Sequence, residues 1–163
     1  MNRRYVKMGA QETIQILAAG AGSVCFALIF SVRGSKLITV GWGGALAWLI
    51  FLVGKQHGSA LLGLFEAVTV AAAIAEMEAR RRKTPVIVME LPLLIPLLPG
   101  GDLYRMMVSI MQNGVLVSMP EIVWLVQEVF IIAAGIILVS TIVSMYMKIR
   151  QRLCKSCVRK NQF

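Results

Sequence analysis

Histidine is almost absent from this chain: His57 stands alone among 163 residues, and three cysteines and eight acidic residues complete the poor supply of metal ligands and catalytic groups. A tetrahedral zinc site needs four ligands, and the C-x-x-C formed by Cys154 and Cys157 offers two. It would need a second chain to close, and reduced thiols on a cytoplasmic tail are the plainer reading. No H-E-x-x-H, nucleophile elbow or phosphate-binding loop occurs, so neither an enzyme nor a resident cofactor is expected. Charge is scarce as well, at 15% of residues against about a quarter in a soluble domain. The 17 basic residues build no stripe or groove and give no nucleic-acid footprint.

What remains is apolar. Hydrophobic residues make up 58% of the chain and its mean hydropathy is +0.75, which makes the lipid bilayer its solvent. A span needs roughly 20 apolar residues, somewhat fewer when short. Four blocks qualify, at 13–32, 37–54, 59–77 and 122–147. A fifth, 85–101, is shorter and holds four of the five prolines. The expectation is an all-α integral membrane protein with five transmembrane helices, the fourth broken by prolines. Residues 1–12 and 148–163 form an N-terminal and a basic C-terminal tail around one transmembrane domain at 13–147. The first block follows Arg3, Arg4 and Lys7 as a signal peptide would, but its apolar part exceeds a signal h-region and more spans follow, so it is read as retained.

The basic residues punctuate the spans. With five crossings and the N-terminus outside, twelve Lys and Arg fall inside and five outside, as the positive-inside rule asks. If the proline block only dips in and returns, the best split weakens to ten against seven. The expected topology is therefore N-terminus out and C-terminus in, with the tail on anionic headgroups. The three cations ahead of the first span argue for the opposite orientation.

The stretch LPLLIPLLPGGDLYRMM carries the main functional signal. Each internal proline deletes a backbone donor and clashes with the carbonyl four residues back. Pro92, Pro96 and Pro99 do so in succession and end in Gly100 and Gly101. Freed backbone groups survive at membrane depth only inside protein or along a wet cavity. The break is expected between Pro96 and Gly101, facing the bundle interior; a Pro-kinked packing helix is the plainer alternative. Broken helices in transporters offer free N–H groups to an anion and unwound carbonyls to a cation.

The same segment resembles the signature of the small membrane subunit of the threonine/serine exporter (ThrE-like) family, through Pro96, Pro99, Gly100, Tyr104 and Met107. CFALIFSV, closing the first span on a short basic loop, is similar to a second run of that family, and the sequence departs from it at Leu93 and Glu90. The resemblance covers essentially the whole chain. It implies one subunit of a two-component exporter, beside a larger companion subunit with its own five-span domain. The implied substrates are small carboxylated metabolites, threonine and serine or in related pairs succinate, and the implied location is the bacterial cytoplasmic membrane. Pro92, Pro96, Pro99, Gly100, Gly101, Tyr104 and Arg105 would then belong to the substrate pathway, with Asp102 and Arg105 open to either a substrate contact or a solvated loop pair.

Polar groups within the spans are the remaining candidates. An intramembrane carboxylate costs about 2.5 to 3.5 kcal/mol by insertion scales and is a functional hypothesis by default. Glu66 and Glu90 could each couple protons or simply make a structural hydrogen bond. Glu76 lies one turn before Arg80 and is expected to pair with it. Ala67, Ala71, Ala75 and Ala79 recur every four residues, as a close helix contact requires. Trp42, Trp48 and Trp124 read as interface or packing aromatics. A scaffold that anchors a partner membrane protein without transporting is the alternative function.

Overall fold

The computed structural model describes residues 3–57 and 59–160. Six helices follow one another: α1 (Arg3–Ile29), α2 (Lys36–His57), α3 (Ala60–Arg81), α4 (Val86–Leu94), α5 (Gly100–Asn113) and α6 (Met119–Lys160). A single 3-10 turn, Ile95–Leu97, joins α4 to α5, and the described residues contain no strand. Gln11–Ile29, Lys36–Gln56, Ala60–Arg81 and Met119–Ile149 are long and apolar enough to cross a bilayer. Val86–Leu97 and Gly100–Gln112 form a further candidate, bent by 57° at the break between them. The chain is an all-α membrane protein.

The described parts of the two tails, 3–12 and 148–160, continue the helices they flank, because nothing from Arg3 to Gly9 or from Lys148 to Lys160 breaks the backbone pattern. The side chains of residues 151–160, and with them Cys154 and Cys157, lie outside the described residues. The fourth segment also runs further than the apolar block. After the break the chain resumes as α5 and reaches Asn113, since Asp102, Arg105, Ser109 and Gln112 fall on one side of a helix and leave Leu103, Met107 and Met111 on another. Hydropathy alone reads such an amphipathic helix as a loop.

Tight turns make neighbours of successive helices. Ser31 and Gly34 take the left-handed conformation after α1, at φ 58° and 76°, and Lys83 does so after α3 at φ 52°. There Thr84 donates to the Ala79 carbonyl at 2.9 Å, and Pro85 in extended geometry turns the chain into α4. α3 sits at the centre and packs on α2, α4 and α6, while α5 packs only on α6. Ala67, Ala71, Ala75 and Ala79 are all buried. Lipid tails are as apolar as leucine, so helices associate here through close packing, which small residues allow. Leu93 of α4 uses such an opening: it enters beside Gly43 of α2, where any Cβ would collide with it.

Polar contacts gather where α2 begins and α3 ends. Glu76 and Arg80 form an ion pair at 2.8 Å. Glu78 pairs with Arg82 and accepts from Thr39 Oγ1 at 3.4 Å, while Arg82 reaches the Ser35 hydroxyl at 2.5 Å.

The direction of α6 decides what the broken segment does. Gly135 of α6 lies against Val68 of α3, and Glu128 shares a cavity with Leu64. Moving from 128 to 135 climbs α6 by about 10 Å while moving from 64 to 68 climbs α3 by about 6 Å, in the same sense. The two helices are parallel, so α4 and α5 together return the chain to the side where α3 begins.

Candidate functional site

The site grows out of the interruption between α4 and α5. Pro92 is buried within α4, and the missing N–H of Pro96 leaves the Pro92 carbonyl without its helical donor. The chain tightens into the 3-10 turn, extends at Leu98 (φ −68°, ψ 134°) and turns at Pro99 (φ −77°, ψ 53°) before α5 starts at Gly100. Leu98 donates to the Ile95 carbonyl at 3.2 Å and Gly100 to the Leu98 carbonyl at 2.8 Å, so the break is held by short local bonds. The first turn of α5 leaves amide hydrogens at Gly101 and Asp102 without intrahelical acceptors, at the positive end of the helix dipole.

A cavity of about 300 Å³ opens at this break. α2 contributes Trp48, Phe51 and Lys55, α3 contributes Leu64 and α6 contributes Glu128. The broken segment supplies Pro96 through Pro99, then Gly101, Asp102 and Arg105. The volume is at the lower end of the roughly 300 to 1,000 Å³ of ligand pockets, so it suits a small metabolite. One wall is aromatic, the Trp48 and Phe51 rings standing 5.2 Å apart and tilted by 47°. The other is charged. Arg105 and Asp102 pair at 3.6 Å. Glu128 accepts a hydrogen bond from Trp124 Nε1 at 3.0 Å through one carboxylate oxygen. Its second oxygen, Oε2, and the Trp48 Nε1 are buried without a hydrogen-bond partner among the described residues.

Among the residues expected from sequence, Pro96, Pro99, Gly101 and Arg105 line the cavity together with Asp102. Pro92 lies behind it in the α4 packing, and Gly100 starts α5 beside the lining without joining it. Tyr104 is 70% exposed on α5, away from the lining. Glu66 is exposed on α3 and is likewise outside the cavity, with no hydrogen bond or ion pair among the described residues. Glu90 is half-buried on α4 and is likewise outside the lining.

Besides apolar residues, three lining residues that carry polar groups escaped the sequence reading. Trp48 passes as a packing aromatic and Lys55 as a loop cation, although it sits in the last turn of α2. Glu128 is an acid set among apolar neighbours in the most apolar span, and the signal that could have found it is Trp124 one turn before it, whose indole N–H needs an acceptor in that setting.

No curated protein and no solved structure matches the chain. A family model does: threonine/serine exporter, ThrE, over residues 15–142. That stretch takes in the break and every residue that lines the cavity. With most of its length matched, from within the first span into the last, the chain belongs to the threonine/serine exporter family of membrane transporters.

Proposed function

We propose that this chain is one subunit of a two-component secondary exporter and that the cavity at the α4–α5 break is its share of the substrate pathway. The observation that carries this reading is the coincidence of the break between α4 and α5 with a cavity bearing charges of both signs. Irregular backbone at membrane depth is stable where it lines such a space. The substrate is threonine or serine, or a small dicarboxylate such as succinate. Transport proceeds by alternating access, two halves rocking around the site.

A companion subunit completes the pathway. Support comes from Glu66, exposed within α3 and without a partner among the described residues. A carboxylate facing lipid costs about 2.5 to 3.5 kcal/mol, and a second membrane chain over this face removes that cost. Glu66 or Glu90 couples export to protons, by exchanging a proton as its surroundings alternate between wet and dry. The chain sits in the bacterial cytoplasmic membrane with its N-terminus outside. In favour of this orientation, the Arg80 to Lys83 cluster and the end of the last span fall on one side, because α3 and α6 are parallel.

Efflux of labelled threonine, serine and succinate tests the reading, in cells that carry this chain alone, this chain with its companion, or neither. Efflux only with both chains is expected. No efflux of any of the three, with both chains verified in the membrane, would overturn it in favour of a scaffold.

A further inference from the structure

The turn between α1 and α2 carries charge that no acid answers. Arg33 and Lys36 form no ion pair among the described residues, and α2 has no acidic residue in its first turn. Arg82 brings a third cation to this turn through the Ser35 hydroxyl, and its partner Glu78 balances that one alone. Arg33 is exposed and Lys36 half-buried, so neither is sealed off from a ligand.

From the same turn an apolar groove of about 690 Å³ runs along α1 and α2. Its floor lies where the two backbones meet: a Cβ on Gly20 would stand 3.0 Å from the Gly41 carbonyl oxygen. Leu17 on one helix and Ile38 and Trp42 on the other form its rims, 73%, 66% and 74% exposed. No charged residue lines it. On α2 the lining begins at Leu37, next to Lys36, and extends to Ala45, a rise of about 12 Å. One leaflet's share of the hydrocarbon core is about 15 Å. The groove therefore reaches from headgroup level nearly to the bilayer midplane.

Its occupant must be apolar along the helices and anionic at the turn. A helix of a second copy meets the first demand and fails the second. Two copies paired about an axis normal to the membrane would set Arg33 and Lys36 of one level with those of the other, like charge against like. A phospholipid with a net negative headgroup meets both demands.

We propose that the groove is a binding site for an anionic diacyl phospholipid, its phosphate held by Arg33 and Lys36 and an acyl chain lying between Leu17 and Trp42. The groove shares no residue with the cavity at the α4–α5 break, so the lipid site stands whether or not that cavity carries substrate.

Trp42 provides the probe. The full chain is reconstituted in phosphatidylcholine vesicles that contain a minority of phosphatidylglycerol brominated at mid-chain or, in parallel, of phosphatidylcholine brominated in the same way. The part of the tryptophan quenching that Trp42→Phe removes reports the groove. Half-quenching should need at least about fivefold less of the brominated phosphatidylglycerol. Arg33→Gln with Lys36→Gln should bring the two lipids to parity, whereas Arg33→Lys with Lys36→Arg should keep the preference. Lys148→Gln, on α6 and off both groove helices, should keep it as well. A preference that survives the double glutamine variant would overturn the proposal, as would equal quenching by both lipids in the wild type. A loss in Lys148→Gln as large as in the double variant would reduce the effect to general attraction by a basic protein and overturn it too. No quenching of Trp42 by either lipid would mean that a second copy or another membrane chain covers the groove in place of lipid.

Discussion

Gly63 of α3 lies against Gly54 of α2 with no space between their backbones: a Cβ on Gly63 would stand 3.0 Å from the Gly54 Cα and 2.9 Å from the Lys55 nitrogen. Backbone atoms cannot yield as a flexible side chain can, so this contact sets how closely the two helices meet beside the cavity. Gly63→Ala should push them apart at a cost of about 1 to 3 kcal/mol and lower the melting temperature in detergent. Because Lys55 adjoins the contact, flux should fall as well. Gly22→Ala is the control, since nothing lies within 4 Å of its would-be Cβ; it should stay within about 1 kcal/mol of wild type.

The Glu76–Arg80 pair makes a different demand. Glu76 is only 4% exposed and its carboxylate depends on Arg80, which also donates from Nε at 2.9 Å. Removing the arginine leaves a charge stranded in an apolar bundle. Arg80→Met should therefore destabilise by about 2 to 3 kcal/mol, less than the 3 to 5 of a fully buried pair because Arg80 still meets solvent. Arg80→Met combined with Glu76→Gln should recover part of that loss, and thermal melts of the three proteins would measure it. A double variant no more stable than Arg80→Met would rule out the stranded charge as the cause.

How much of this was legible beforehand follows from what hydropathy can see. The spans and the break are local properties: an apolar run reads as a span, and Pro96, Pro99 and Gly100 read as an interruption whatever surrounds them. The alanine ladder from Ala67 to Ala79 was legible for the same reason, since a four-residue repeat fixes one helical face. The cavity is not local. Lys55 and Glu128 are 73 positions apart and meet only because α2, α3 and α6 pack side by side. Glu66 and Glu128 look alike in sequence, each an acid set among apolar neighbours within a span, yet one faces outward and the other lines the cavity. Helix packing decides between them, and no single-span pattern contains it.

Straightening the break should separate transport from folding. Replacing Pro99 and Gly100 together by alanine restores a backbone donor and two good helix formers where the chain now turns. The open surroundings of Gly100 leave room for the added methyl. Assembly with the companion should persist while serine efflux drops at least tenfold. Co-purification and efflux on the same cells would check both halves, and a variant that assembles and transports normally would show that the break is mere packing.

The path of the broken segment can be read chemically from its two ends. Leu116, 85% exposed between α5 and α6, should lie on the opposite side of the membrane from Lys83, between α3 and α4. After Cys25, Cys154 and Cys157 are replaced, Leu116→Cys should react with an impermeant maleimide on intact cells. Lys83→Cys should react only after permeabilisation. The reverse pattern would keep the crossing and invert the orientation, moving the basic cluster outside against the positive-inside rule. Reaction of both from the same side would mean that α4 and α5 enter and return. In that case α6 would run antiparallel to α3, and the register that sets Gly135 on Val68 and Glu128 near Leu64 could not be kept.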